Sequence, residues 1–244
     1  MGPQIVSKAV MLVWTNLGAA IRATAVPFGL MAALPYAFAL MLGRDAGNAG
    51  ALGLLGAILT GLLFAWGAVA WHRYVLLEEG PRPVAAPSFG SLVGYLWAGI
   101  RVGAMMLLLL VPIVLMMLVG AKGVEGLLQP ERLWLLELLA FGVSVLIGYA
   151  GLRFSMVLPA AAIGRSMTLR ESRIATSGSK DAVLVSALLI GVLQAVLQST
   201  GSTLLEAGAT GLVLSILITW MSAMIGLSIL TALYGVLVEG RPVD

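Results

Sequence analysis

The chain has no cysteine in its 244 residues, a single histidine, and only 10% charged side chains. The missing cysteine excludes disulfides and thiolate metal sites, and leaves the redox compartment unread. A lone histidine excludes bis-histidine coordination within the chain. So low a charged fraction excludes an ordinary soluble domain, where about 25% of residues are charged. The net charge of +3 gives no electrostatic reason to expect nucleic acid as a partner. Signal-peptide features are missing too: the N-terminal stretch includes Lys8 but no small-residue cleavage site after an uninterrupted apolar core.

What the chain does have is apolar surface. It is 60% hydrophobic with a mean hydropathy of +1.05, and several runs reach the roughly 20 residues needed to cross a bilayer. Six spans are expected, about Arg22–Leu42, Ala49–Trp71, Val102–Leu118, Leu133–Leu152, Ala182–Leu197 and Gly211–Leu233. Helices are the default, because a lipid-exposed backbone must satisfy its own hydrogen bonds and the alternation of a membrane β-barrel is absent. The fold class is therefore all-α and polytopic, a single integral membrane domain over residues 1–244. Pro27, Pro35 and Pro112 fall inside spans, where neighbouring helices tolerate a kink.

Spacing points to an internal repeat. Tyr74, Phe154 and Tyr234 stand 80 residues apart, and Arg22, Arg101 and Lys180 stand 79 apart. Tyr74 and Tyr234 each have a leucine three residues on, a glutamate five on and a glycine six on. Three helical hairpins in residues 1–80, 81–160 and 161–244 account for this. An even number of spans per unit makes the repeats parallel rather than inverted.

Basic residues orient the chain. Eleven of the 14 Lys and Arg lie in the terminal segments and the even-numbered loops, which the positive-inside bias assigns to the cytoplasm together with both termini. Amphipathic segments before the first, third and fifth spans then read as interfacial helices on that leaflet, with Trp14 and Trp97 at headgroup depth; the alternative for the first two is that they extend the spans that follow. The last of these opens with Thr168-Leu169-Arg170-Glu171, a capping-box pattern. Arg165, Arg170, Arg173 and Lys180 are expected to contact anionic phospholipid headgroups. Glycine-rich second and fourth spans, with the sixth, are expected at the centre, and the leucine-rich third span toward lipid.

Candidate chemistry is sparse. His72 lies in Trp71-His72-Arg73-Tyr74, and haem ligation there weighs less than an anchor cluster at the interface, to which Arg153 and Tyr234 also belong. Glu78-Glu79-Gly80-Pro81-Arg82 echoes the paired glutamates of intramembrane prenyl-protein proteases, but the spacing is one short and no second histidine exists. A serine–histidine dyad of the rhomboid kind fails for want of Gly-x-Ser-x-Gly. Glu137 is read as reaching the outer interface. Gln194 and Gln198 share one helix face, either bonding a neighbouring helix or lining a polar path.

Ala70-Trp71-His72-Arg73-Tyr74-Val75-Leu76-Leu77-Glu78, Leu152-Arg153-Phe154-Ser155-Met156-Val157-Leu158-Pro159-Ala160 and Met167-Thr168-Leu169-Arg170-Glu171-Ser172 resemble a group of uncharacterised six-span bacterial inner-membrane proteins. That group is loosely similar to the membrane domain attached to some glycerophosphodiester phosphodiesterases. The resemblance implies the fold and an inner-membrane location, and supplies no catalytic residues. The sequence thus points to a non-enzymatic scaffold, assembly factor or accessory subunit, without catalytic, cofactor-binding or metal residues and with no cofactor. Its partners are the lipid bilayer, anionic headgroups and other membrane proteins. The alternative is a carrier or channel for an apolar or lipid-like solute.

Overall fold

The computed structural model describes residues 1–42, 49–79, 87–119, 133–205 and 208–242, and among these there are helices and turns but no strand. In chain order they are α1 (Gly2–Thr15), α2 (Leu17–Leu42), α3 (Ala49–Leu77), α4 (Phe89–Val119), α5 (Leu133–Phe154), α6 (Val157–Ala162) and α7 (Leu169–Ala175). A 3-10 turn at Ser177–Ser179 then leads to α8 (Lys180–Leu205) and α9 (Gly208–Leu237). Six helices, α2, α3, α4, α5, α8 and α9, are long and apolar enough to cross a membrane. With about 1.5 Å of rise per residue, each exceeds the hydrocarbon core of about 30 Å. The chain is an all-α, multi-pass membrane protein.

One end of the bundle gathers α1 and residues 238–242, the first turns of α2, α4 and α8, and the last turns of α3, α5 and α9. Lys8 Nζ donates to the carbonyl of Pro242 at 2.6 Å, and the Tyr74 hydroxyl near the end of α3 donates to Asn16 Oδ1 just before α2 at 2.8 Å. All three helix pairs therefore leave from and return to the same end. Every described Lys and Arg lies in the half of the bundle nearest to it.

α1 is a separate helix, not an extension of the first span. Asn16 ends it with an Nδ2–H bond to the Leu12 carbonyl at 2.9 Å, and its own carbonyl starts α2 by accepting from Ala20 N–H. One face of α1, with Ile5, Ala9 and Val13, is buried against α8 and α9, while Trp14 on the other face is exposed. The segment before the third span behaves differently. Residues Phe89 to Val119 form one unbroken helix, so no separate helix precedes that span, and its apolar stretch begins at Phe89 rather than Val102. Gly99 and Gly103 alone do not interrupt it, because in an apolar surround a broken i→i−4 bond finds no water to replace it.

α9 is the central element, with Met224, Leu227, Ile229, Leu233 and Tyr234 buried. α3 packs on it through Ala65, Ala68, Val69 and Trp71, and α8 through Ala182 and Val183. The expected central place of the fourth span is not found: in α5, Trp134, Leu138, Leu139 and Leu146 are exposed. Glycines there mark two contacts only, Gly148 against Ala187 of α8 and Gly151 against Met106 of α4. α4 does turn Leu107 and Leu108 outward, as a lipid-facing span should.

Candidate functional site

Three ring N–H groups hold the helices of the core together, each on a hydroxyl of another helix. Trp71 Nε1 of α3 donates to Ser228 Oγ of α9 at 2.9 Å, and Trp220 Nε1 of α9 donates to Thr24 Oγ1 of α2 at 2.9 Å. His72 Nδ1 lies 2.7 Å from Thr231 Oγ1 of α9. The Thr231 hydroxyl itself donates to the Leu227 carbonyl at 2.7 Å. Having one proton only, it accepts from the histidine, so Nδ1 carries the hydrogen and Nε2 presents a bare lone pair. Thr24 repeats the device, donating to the Ala20 carbonyl at 2.7 Å while accepting from Trp220. His72 Nε2 is buried without a partner among the described residues, beside the Tyr95 ring of α4, whose centroid is 5.8 Å away.

At the basic end an ionic rim joins the elements. Arg73 Nε donates to Glu79 Oε2 at 3.0 Å, and its Nη1 reaches the Ala162 carbonyl that ends α6 at 3.3 Å. Glu239 pairs with Arg165 at 3.0 Å and with Arg241 at 2.8 Å. Arg241 also donates to the Leu76 carbonyl at 2.7 Å, so a cation covers the negative end of the α3 dipole. The glutamates five residues after Tyr74 and Tyr234 are thus both ion-paired at this rim. Arg153 Nη2 donates to the Arg173 carbonyl at 3.2 Å, which ties α5 to α7. Thr168 and Glu171 form the full capping box, with bonds of 3.1 and 2.7 Å.

Among the described residues, two concavities between helices stand out. One, of about 560 Å³, lies between α2 and α9 and is almost wholly apolar, with Phe28, Phe64 and Trp220 in its walls. Ser215 and Thr219 also line it, but their hydroxyls bond carbonyls of their own helix. The other, of about 470 Å³, lies between the first turns of α4 and the α6–α7 connection, and includes Arg101, Arg165 and Glu171. Arg101 is half-buried within the apolar run of α4, and its Nε has no partner among the described residues.

These positions alter several sequence expectations. Trp71, His72 and Tyr234, read as interface anchors, are fully buried and touch protein rather than headgroups. Tyr74, Arg73 and Arg153 are half-buried and engaged in the bonds given above. Arg165, Arg170, Arg173 and Lys180 are all exposed, and Arg165 lines the second groove. Gln194 accepts from Ser222 Oγ of α9 at 2.9 Å, a helix contact. The side chain of Gln198 lies outside the described residues. Arg101, one residue before the span expected from Val102, lies within the apolar run Phe89–Pro112 of α4. Glu137 is exposed on α5. No group of three or more His, Asp or Glu that would hold a metal occurs among the described residues.

The site is thus a set of polar clamps inside a six-helix membrane bundle. No family model, curated protein or solved structure matches the chain.

Proposed function

We propose that this chain is a non-enzymatic scaffold or accessory subunit of a membrane complex. It lies in a bacterial inner membrane with both termini in the cytoplasm. Support comes from how its interior polar groups are used. Trp71, His72, Trp220 and Gln194 each bond a hydroxyl on a neighbouring helix, so the described core offers fixed helix geometry in place of a hydrated route. Such bonds between membrane helices average about 0.6 kcal/mol each. A rigid frame with an open lateral groove between α2 and α9 is suited to receive a helix from another membrane protein.

Purification in a mild detergent with native mass spectrometry tests this. A second membrane protein should co-elute in a fixed ratio, and Gly29→Phe should release it. Gly29 lines the groove, and a Cβ there meets nothing within 4 Å, so the larger side chain projects from an open position into the groove. A chain that elutes alone, in the wild type as in the variant, overturns the reading. The same groove favours a second reading, a carrier for an apolar or lipid-like solute. Recovery of one such molecule, lost in Gly29→Phe, with no protein partner, would establish that instead.

A further inference from the structure

We infer that the groove between α4 and the α6–α7 connection binds the phosphate of an anionic phospholipid, held between Arg101 and Arg165. This site is independent of the scaffold reading.

Arg101 is the first reason. It stands inside the apolar run Phe89–Pro112, and an ionisable side chain at such a place is costly unless it has work there. Its Nε is sealed from solvent with no partner among the described residues. A guanidinium has five donors in a planar fork that matches phosphate oxygens, and a buried donor left unpaired carries a penalty that an anion would remove. Arg165 supplies the opposite wall. Gly164 adopts a left-handed φ of +77°, which turns the chain so that the Arg165 N–H bonds back to the Ala160 carbonyl at 2.8 Å. The Arg165 side chain is 61% exposed, and its Nη1 pairs with Glu239, leaving other donors of the fork for a ligand.

The floor is open. A Cβ added at Gly90, Gly94 or Gly164 would meet nothing within 4 Å, and the space of about 470 Å³ falls within the usual range of ligand sites, about 300–1,000 Å³. Glu171 lines the same groove, but its carboxylate is held by the Thr168 N–H. With Glu239 and Arg241, which share the ion pair of Arg165, three guanidinium charges stand against two carboxylates, and the remaining positive charge suits the single charge of a phosphodiester headgroup. A lipid rather than a free anion is favoured by what adjoins the groove. Trp97 on its wall is exposed, and Ile100, Leu107 and Leu108 continue outward along α4. This is an apolar ridge on which acyl chains would lie below the headgroup, with the indole at interface depth.

The test is native mass spectrometry of the delipidated chain in mild detergent, titrated with phosphatidylglycerol and, separately, with phosphatidylcholine. Arg101→Gln should weaken phosphatidylglycerol retention about tenfold, the worth of one charge-assisted hydrogen bond. Gly94→Leu, which narrows the groove and leaves both arginines in the sequence, should cause a similar loss while the protein still elutes as one sharp species. Arg170→Gln, outside the groove, should retain the lipid. Wild-type retention in both groove variants overturns the site. Equal binding of phosphatidylcholine overturns the charge assignment. Displacement of the lipid by millimolar inorganic phosphate, with phosphate binding in its own right, overturns the lipid in favour of a soluble anion.

Discussion

Thr231→Val should cost the fold more than removing both Thr231 and its partner. The valine keeps the shape of the threonine but deletes the only acceptor of the His72 Nδ1–H, and Nε2 already has no partner among the described residues. Both residues are fully or almost fully buried, at 0% and 1% exposure, so no water replaces the lost bond. An unsatisfied buried donor costs about 1–3 kcal/mol. His72→Leu removes the imidazole instead, and the Thr231 hydroxyl still donates to the Leu227 carbonyl. That change should cost about 0.6 kcal/mol and no more than about 1.7, the measured span for bonds between membrane helices. The double variant should match His72→Leu and be more stable than Thr231→Val alone. For a chain of this size 1 kcal/mol shifts the midpoint by about 2–4 °C, so Thr231→Val should lower it by roughly 2–12 °C. Thr231→Ser, which keeps the hydroxyl, should stay near the wild type. Thermal unfolding in one fixed detergent, followed by tryptophan fluorescence, reads all four, since Trp71 sits next to the pair. Additive losses in the double variant, or no loss in Thr231→Val, would refute the donor assignment.

Gly67→Ala should destabilise by about 1–3 kcal/mol through overpacking, because its Cβ would lie 3.0 Å from the Phe28 ring. Gly61→Ala, with nothing within 4 Å, should be neutral or stabilising; thermal midpoints compare the two. Thr168→Ala should lose about 0.5–2 kcal/mol of capping, seen as faster amide exchange confined to α7. Because the chain has no native cysteine, single cysteines report sidedness directly. Ser177→Cys should react with an impermeant maleimide only after the inner membrane is opened, and Trp134→Cys should react in intact spheroplasts. The reverse pattern would invert the proposed orientation.

Much of the fold was legible because span length and the 3.6-residue period act locally. The capping box of α7 was found from four letters, since both of its bonds lie within one turn. The side of a helix that meets a neighbour was harder to read. Trp71, His72, Arg73 and Tyr74 are consecutive, and at 100° per residue they point around the whole helix, so a helix packed on one side must turn some of them toward its neighbours. Trp71 and His72 turn toward α9, Arg73 toward Glu79, and Tyr74 toward Asn16. Likewise, amphipathic spacing in Phe89 to Ile100 describes a face, not a helix end, and nothing in it separates a distinct helix from the first turns of α4. Arg101 was lost with that boundary.

The partners of α1 bear on how the protein is made. Its buried face rests on α8 and α9, and Gly2 approaches so closely that an added Cβ would lie 2.8 Å from Val185. These partners leave the ribosome well after α1. At about 5–20 residues per second, roughly 10–50 s separate the emergence of α1 from that of α9. Until α8 and α9 emerge, Ile5, Ala9 and Val13 lack the helices that cover them, so this face of α1 must shelter in lipid or under a chaperone.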